Sequence, residues 1–368
     1  MMQRFDERNN VFARRDLVPG SEEYDEFYER HPEWREIDDE IRSRRELGTY
    51  MSRADMGLYE APAWLMRRLG APDCVDGTPA PKQVALTPER ATLKIKTLAR
   101  RLGADLVGVS LMNPAYAYSH RGRSTYPQEP WGSPIEVSHK YSISMGFRED
   151  VQMIRTAPQS AELVETALIY YRSAAAAVIL AEYIRSLGYP ARAHHFRNYQ
   201  VLSVPLAVDA GLGELGRCGF LLTIEMGNCL RLSTVTTDLP LICDEPVDIG
   251  IQDFCNRCKL CAEACPSEAI PSGDKVEVRG VLKWQINDVT CYKYWTKVGT
   301  DCGMCIASCP WSQPDNWMHR TAASWASKSQ LARIILLWLY PILYGKYKPR
   351  QLPDWLDPKF RNNSVEVG

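Results

Sequence analysis

Neither sign of charge is in surplus in this chain of 368 residues: 44 Lys and Arg stand against 45 Asp and Glu, for a net charge of -1. Bulk electrostatic attraction to nucleic acid or to an anionic membrane is excluded as the basis of its function. Long hydrophobic runs are also lacking. The longest, Ile334 to Tyr344, is eleven residues broken by Pro341, whereas a spanning helix takes about 20, so no transmembrane segment is expected. The arginine pairs Arg14-Arg15 and Arg44-Arg45 are followed by acidic and polar residues instead of the apolar stretch of an export signal. As written, the chain is expected to stay in the cytoplasm. The alternative is an exported, membrane-associated protein whose twin-arginine signal has been removed. No tract is of low complexity, and 45% hydrophobic with 24% charged residues suffices to bury one large core or two smaller ones.

What the chain has is cysteine. Twelve fall at 74, 218, 229, 243, 255, 258, 261, 265, 291, 302, 305 and 309, the last eight within 55 residues. The run Cys255-x2-Cys258-x2-Cys261-x3-Cys265-Pro266 has the spacing with which a tight loop wraps three thiolates around a cubic four-iron cluster while the fourth reaches a second cluster. A second run supplies the remainder: Cys291, then Cys302-x2-Cys305-x3-Cys309-Pro310. One cluster is expected on Cys255, Cys258, Cys261 and Cys309, and another on Cys265, Cys302, Cys305 and Cys291. Cys291 is assigned last, because ten residues separate it from Cys302. Zinc would want isolated C-x2-C pairs and leaves the two Cys-Pro endings unexplained. Cys74, Cys218, Cys229 and Cys243 show no ligand spacing and read as small buried apolar residues.

Four stretches follow from patterning. Residues 1–82 are rich in charge and aromatics (Tyr24, Phe27, Tyr28, Trp34), are cut by Pro62, Pro72, Pro79 and Pro81, and read as short helices packing on the rest. Residues 83–249 alternate helix and strand. A helix starts with Thr87 as N-cap and Pro88 behind it, and Gly103 ends it. A buried strand follows at 105–111, Tyr141, Ile143, Met145 and Phe147 alternate as in a half-buried strand with one solvated face, an Ala-rich helix buried on most sides spans Ser160 to Leu187, and strands return at 191–195 and 231–237. This is an α/β (α+β) domain. Residues 250–316 form a ferredoxin-like module whose clusters replace a hydrophobic core. Residues 317–368 are an aromatic-rich tail with Trp317, Trp325, Trp338 and Trp355. It reads as a helix closing over the core or the clusters in preference to a patch for a membrane partner, since monomers seldom expose apolar patches of that size.

Paired clusters move single electrons, so they imply either a carrier subunit or an enzyme whose reaction lies elsewhere. About 240 residues precede them, more than a carrier needs, and multi-electron reduction calls for a further cofactor. Gly211, Gly213, Gly216 and Gly219 would let backbone approach a large cofactor. Gly211-x-Gly213-x-x-Gly216 also fits the dinucleotide fingerprint, but no helix follows and the nearest acid at ribose distance, Asp238, lies beyond a strand. His194-His195 alternate on a strand and cannot share an ion.

Taken together these motifs resemble the corrinoid-dependent reductive dehalogenases. The matching text is RFDERNNVFAR at 4–14, HPEW at 31–34, GADLVGVS at 103–110, AEYIRSLGY at 181–189, SVPLAVDAGLGELGR at 203–217, TDLPL at 237–241, FCNRCKLCAEACP at 254–266 and CGMCIASCPW at 302–311. The resemblance implies a nitroreductase-like domain holding a base-off cobalamin beside two 4Fe-4S clusters, with Ser203, Gly211, Gly213 and Gly216 at the cofactor. It further implies a tyrosine proton donor at Tyr170, in an Ile169-Tyr170-Tyr171 segment that makes Tyr171 a rival, with Asn198 positioning and Arg231 tuning that hydroxyl. A nearby guanidinium favours the phenolate and so makes a better acid. Phe12, Trp284, Tyr294 and Trp295 are candidates for the substrate pocket. The expected substrate is a small organohalide. The expected electron donor is a ferredoxin, a flavodoxin or a membrane-bound redox partner. No nucleic acid is expected. Two other functions fit parts of the pattern: an epoxyqueuosine reductase-like cobalamin enzyme, for which the near-zero net charge offers no basic surface, and an electron-transfer subunit without corrinoid.

Overall fold

The computed structural model describes residues 3–123, 126–353 and 355–356, together with the backbone of 360–361 and 364–365. The first stretch is a set of short helices: α1 (Val11–Asp16), α2 (Glu22–Arg30), α3 (Pro32–Ser43) and α4 (Arg53–Leu69). Two of the motif segments meet here. Arg14 pairs with buried Asp38 at 2.9 Å and stands 4.4 Å over the ring of Trp34, so RFDERNNVFAR and HPEW form one brace. Glu7 accepts from Gly122 N at 2.8 Å and Arg123 N at 3.3 Å, fastening that brace to the next layer.

Helix α5 (Pro88–Arg101) begins as its cap predicts, Thr87 accepting from Arg90 N. Strands β1 (Leu106–Leu111) and β2 (Tyr141–Arg148) follow, then α6 (Ser160–Ser186), β3 (Ala191–His194), α7 (Ser203–Asp209) and β4 (Leu230–Thr237). The sheet runs β1-β2-β4-β3 with every pair antiparallel. Of the two forms expected, α/β and α+β, it is the second.

Register puts Val109, Ile143, Val235 and Ala193 in one row, all fully buried against Ile169, Ala177, Leu180 and Ile184 of α6. By length and composition α6 could cross a membrane, yet 61% of its most apolar window is buried inside the protein. Its alanines let it lie close on the sheet. The other sheet face, expected to be solvated, is buried too. There Ser110 and Ser142 bond at 2.7 Å and His194 meets Thr236 at 2.9 Å, so small polar side chains satisfy one another under α7.

Helix α8 (Ile251–Arg257) opens the cysteine-bearing segment and α9 (Asp288–Val298) carries Cys291. This segment shares its core with the preceding domain: Cys218 and Leu222 pack with Ile251, Phe254 and Trp311. Helices α10 (Trp317–Lys328) and α11 (Gln330–Tyr344) close over that core. The closure is made by Ala323, Ala326, Leu336 and Leu337, while Trp317, Trp325, Trp338 and Trp355 are exposed. Of the predicted tail 317–368, residues 354, 357–359, 362–363 and 366–368 lie outside the described residues.

Candidate redox centre and active site

Cys255 sits in the last turn of α8, Cys258 caps it, and Cys261 lies on the short helix Leu260–Glu263. With Cys309 they line one cavity, whose wall is completed by Arg217, Cys218, Leu222, Phe254 and Pro310. Four sulfurs converging on one small cavity are what a cubic cluster requires, so this donor set fits the group. Arg217, fully buried, donates to the carbonyls of Cys255 (3.0 Å), Pro271 (2.7 Å) and Gly273 (2.9 Å), with its guanidinium 4.5 Å over Trp284. The last residue of the glycine-rich motif thus clamps the first cysteine loop. Cys218 is buried in the apolar core as its lack of ligand spacing suggested, and it also faces the four ligands.

The second set also lies together, with Cys302, Cys291 and Cys265 as neighbours of Cys305. Burial, with Cys291 and Cys265 as neighbours, pushes the Cys302 thiol up to about 12, and burial beside Cys265 pushes Cys291 up to about 11. Cys302 has φ 69° and Gly303 φ 65°, two left-handed residues in succession, uncommon for a side chain other than glycine. A Cβ on Gly303 would come 2.6 Å from Glu162 Oε1. This turn therefore presses the second cysteine set against α6.

On α6, Glu162, Thr166 and Tyr170 form one stripe at four-residue spacing. Arg231, opposite Phe147 in the sheet, reaches all three. It donates to Thr166 Oγ1 at 2.9 Å, lies 4.0 Å from Glu162 Oε1 and stands 5.4 Å over the Tyr170 ring. Glu149 at 3.2 Å and Asp301 at 3.9 Å complete its surroundings. Three carboxyls thus face one guanidinium, and two of them, Glu149 and Glu162, are fully buried. Burial raises Glu149 to about 7 against the pull of Arg231, and burial with Asp301 beside it raises Glu162 well above the carboxylate range. Burial raises the pKa of Tyr170 and outweighs Arg231, which pulls it down as a nearby guanidinium does, while Glu149 and Asp301 reinforce the rise, so the phenol stays protonated. Tyr171, one residue on, is turned about 100° away along the helix.

Tyr170 stacks on Phe196 at 4.3 Å. Arg197 and Arg123 lie over the Phe196 ring at 5.1 and 5.3 Å, and Arg123 also lies 5.8 Å from the ring of Phe12. Phe12 in turn meets Trp295 at 5.6 Å, so two of the four aromatic candidates reach this wall. Trp284 does not, being bound to Gly273 in the cysteine segment, and Tyr294 lies beside Cys302 and Cys265.

The positioning role expected of Asn198 is corrected by its partners. Its Nδ2 donates to Gly70 O and Glu129 Oε2, both at 2.9 Å, and its Oδ1 accepts from Arg192 at 3.0 Å and Arg121 at 3.2 Å. No donor is left for Tyr170. Ser203 and the glycines, expected at the cofactor, meet other parts of the chain. Ser203 lies 3.3 Å from Thr234, on the sheet face opposite Tyr170. The glycines make room for the chain itself: a Cβ on Gly211 would meet Glu245 O at 2.4 Å, on Gly213 Leu222 O at 2.0 Å, and on Gly216 Leu222 Cδ1 at 2.2 Å. His194 and His195 are held by separate partners, Thr236 and Leu69 O. Sequence reading missed Glu149, Glu162, Asp301, Phe196 and Arg197. The one available signal was position, Asp301 before Cys302 and Phe196-Arg197 after the His pair.

A 4Fe-4S dicluster domain matches residues 254–312. The tetrachloroethene reductive dehalogenase of Sulfurospirillum multivorans is 34% identical over 292 residues, covering 70% of this chain and 55% of that protein. That of Desulfitobacterium hafniense is 33% identical over 278 residues, 64% of this chain and 50% of its own. Among solved structures, the catabolic reductive dehalogenase NpRdhA in complex with 3-bromo-4-hydroxybenzoic acid superposes with a TM-score of 0.78 at 28% identity, covering 100% of this chain and 50% of that one. An epoxyqueuosine reductase of Lactococcus garvieae matches less, 30% over 121 residues, 32% of this chain and 33% of its own. This chain spans about half the length of the dehalogenases it matches. Its likeness to them extends from the motifs to the whole fold.

Proposed function

We propose that this chain works as a reductive dehalogenase, replacing a carbon-bound halogen with hydrogen at the expense of two electrons and one proton and releasing halide. The observation that carries this reading is the contact series Tyr170–Arg231–Asp301, which runs from a protonated phenol to the residue preceding Cys302. A proton source and an electron route thereby meet at one wall. A base-off corrinoid would supply a low-valent cobalt able to pass an electron pair to the halogenated substrate. Buried polar atoms without partners, Nε of Arg197 beside Phe196 and Oγ of Ser233 on the Arg231 face of the sheet, suit a ligand fringed with amides, and these residues would hold it.

The roles of the chain's own groups follow from their surroundings. Tyr170, kept protonated by burial, holds the proton that goes to carbon. Arg231 is permanently charged. It fixes the ring from above and keeps a positive site where halide accumulates. Glu149, at about 7 and 3.2 Å from Arg231, takes up or releases a proton near neutrality and so restores the site between turnovers. Electrons enter through the two cysteine sets, the second adjoining Arg231 through Asp301. The donor would be a ferredoxin, a flavodoxin or a membrane-bound redox partner, and the substrate a small organohalide flanked by Phe12 and Phe196.

The test is anaerobic reconstitution with iron, sulfide and hydroxocobalamin. About eight irons, as two four-iron clusters require, with one retained cobalt and halide release from an organohalide panel are expected. Full iron without cobalt would leave an electron-transfer subunit and withdraw the proposal.

A further inference from the structure

The first cysteine set has more sulfur than a cubic cluster uses. Cys255, Cys258, Cys261 and Cys309 provide the four ligands that such a cluster takes, and Cys218 stands in the same cavity wall as a fifth. It comes from the other domain, in the turn between the paired two-residue strands Glu214–Leu215 and Leu221–Leu222. A buried cysteine that merely fills space is surrounded by carbon. This one is not, because the Cys261 thiol stands beside its own in the same cavity wall and Asn228 Nδ2 donates to its sulfur at 3.2 Å.

The orientation of that donor is fixed. Asn228 is buried, its Oδ1 accepts from Ser312 Oγ, and its own N donates to the same oxygen at 3.2 Å, which leaves the amide nitrogen facing sulfur. The backbone is fixed as well. Gly216 N bonds Phe220 O at 2.9 Å and Gly219 N bonds Gly216 O at 3.0 Å across the turn. Next door, Arg217 anchors to the carbonyl of Cys255 at 3.0 Å. Cys218 is thus held at a set distance from the ligand loop, with its sulfur toward the cluster cavity and toward one ligand in particular.

We propose that Cys218 is a fifth sulfur ligand of the first cluster, able to take the corner held by Cys261. The exchange is balanced without any redox step. Cys218 gives up its thiol proton as its sulfur binds iron, and Cys261 takes a proton as its iron-sulfur bond breaks, with iron unchanged in oxidation state. Because Cys218 belongs to the domain that carries the glycine-rich motif, the exchange joins that domain to the cluster by a direct bond.

The proposal rests on the paired-cluster reading and is independent of dehalogenation. The full chain is reconstituted anaerobically with iron and sulfide as wild type, Cys218→Ala, Cys261→Ala and the double variant. Iron and sulfide per chain are measured, and the dithionite-reduced clusters are read by electron paramagnetic resonance. Alanine is chosen because serine oxygen can bind iron. Each single variant is expected to keep about eight irons and the double variant about four, as one or two four-iron clusters dictate. In Cys261→Ala the first cluster's signal shifts while the second's does not. Loss of about four irons or more in Cys261→Ala alone overturns the proposal, as does a double variant that keeps eight. Wild type below eight would instead sink the paired-cluster reading, so the two failures are distinguishable.

Discussion

Arg217 Nε donates a 3.0 Å hydrogen bond to the main-chain carbonyl of Cys255, so the domain built on the sheet holds the first cysteine loop by a side chain. Truncating that side chain strands buried acceptors, each costing about 1–3 kcal/mol. Arg217→Met is expected to lower stability by about 3 kcal/mol or more and to cut iron from about eight toward four per chain, the second set keeping its share. Iron analysis beside a thermal melt checks this; unchanged iron would mean that the clamp is dispensable.

Tyr170→Phe keeps the stack on Phe196 and removes the proton. Halide release is expected to fall about 100-fold or more, the usual scale for losing a general acid, with iron and corrinoid content unchanged. Tyr171→Phe is expected to stay near wild type. The reverse pattern would transfer the role to Tyr171.

Glu149 links stability to pH. Burial raises its pKa from 4.5 to about 7, so between those values the folded chain binds a proton that the unfolded chain has lost. Stability from this group is full below about 4.5 and is lost as pH rises through 7. Thermal melts of Glu149→Gln across that window are expected to show a shallower fall than wild type. Parallel curves would remove Glu149 as the cause.

Gly213 is a packing position on this structure. A Cβ there would meet Leu222 O at 2.0 Å, and backbone cannot yield as a flexible side chain does. Gly213→Ala is expected to destabilise by about 1–3 kcal/mol, as overpacking does, while the folded fraction keeps its affinity for hydroxocobalamin. Loss of affinity at wild-type stability would return the glycine to the cofactor.

Cys291, separated from its partners by the ten residues before Cys302, is expected to behave as a full ligand. Cys291→Ala should lose about four irons, and Cys243→Ala none. Equal iron in both would leave the second cluster without its fourth cysteine.

Much of this was written locally in the sequence. The ferredoxin spacing specifies ligands because a short loop can only wrap a small cube in one way. The cap of α5 and the apolar all-round pattern of α6 likewise depend on neighbours within a turn or two. Strand alternation at 141–147 placed Ile143 and Met145 correctly in the core but misread the opposite face. Serine and threonine look solvated until another strand and α7 bring them partners.

Sequence by itself determined the two cysteine sets, the order of helices and strands, and the likeness to dehalogenases, all carried by short spacings. Tertiary structure alone decided that Arg231 meets Glu149, Glu162 and Asp301, that Asn198 is saturated by Gly70, Arg121, Glu129 and Arg192, and that Cys218 faces Cys261. These partners lie tens to more than a hundred residues apart, or share a turn whose direction only packing selects. Charge balance and burial are properties of the assembled surroundings, which no single stretch of chain contains.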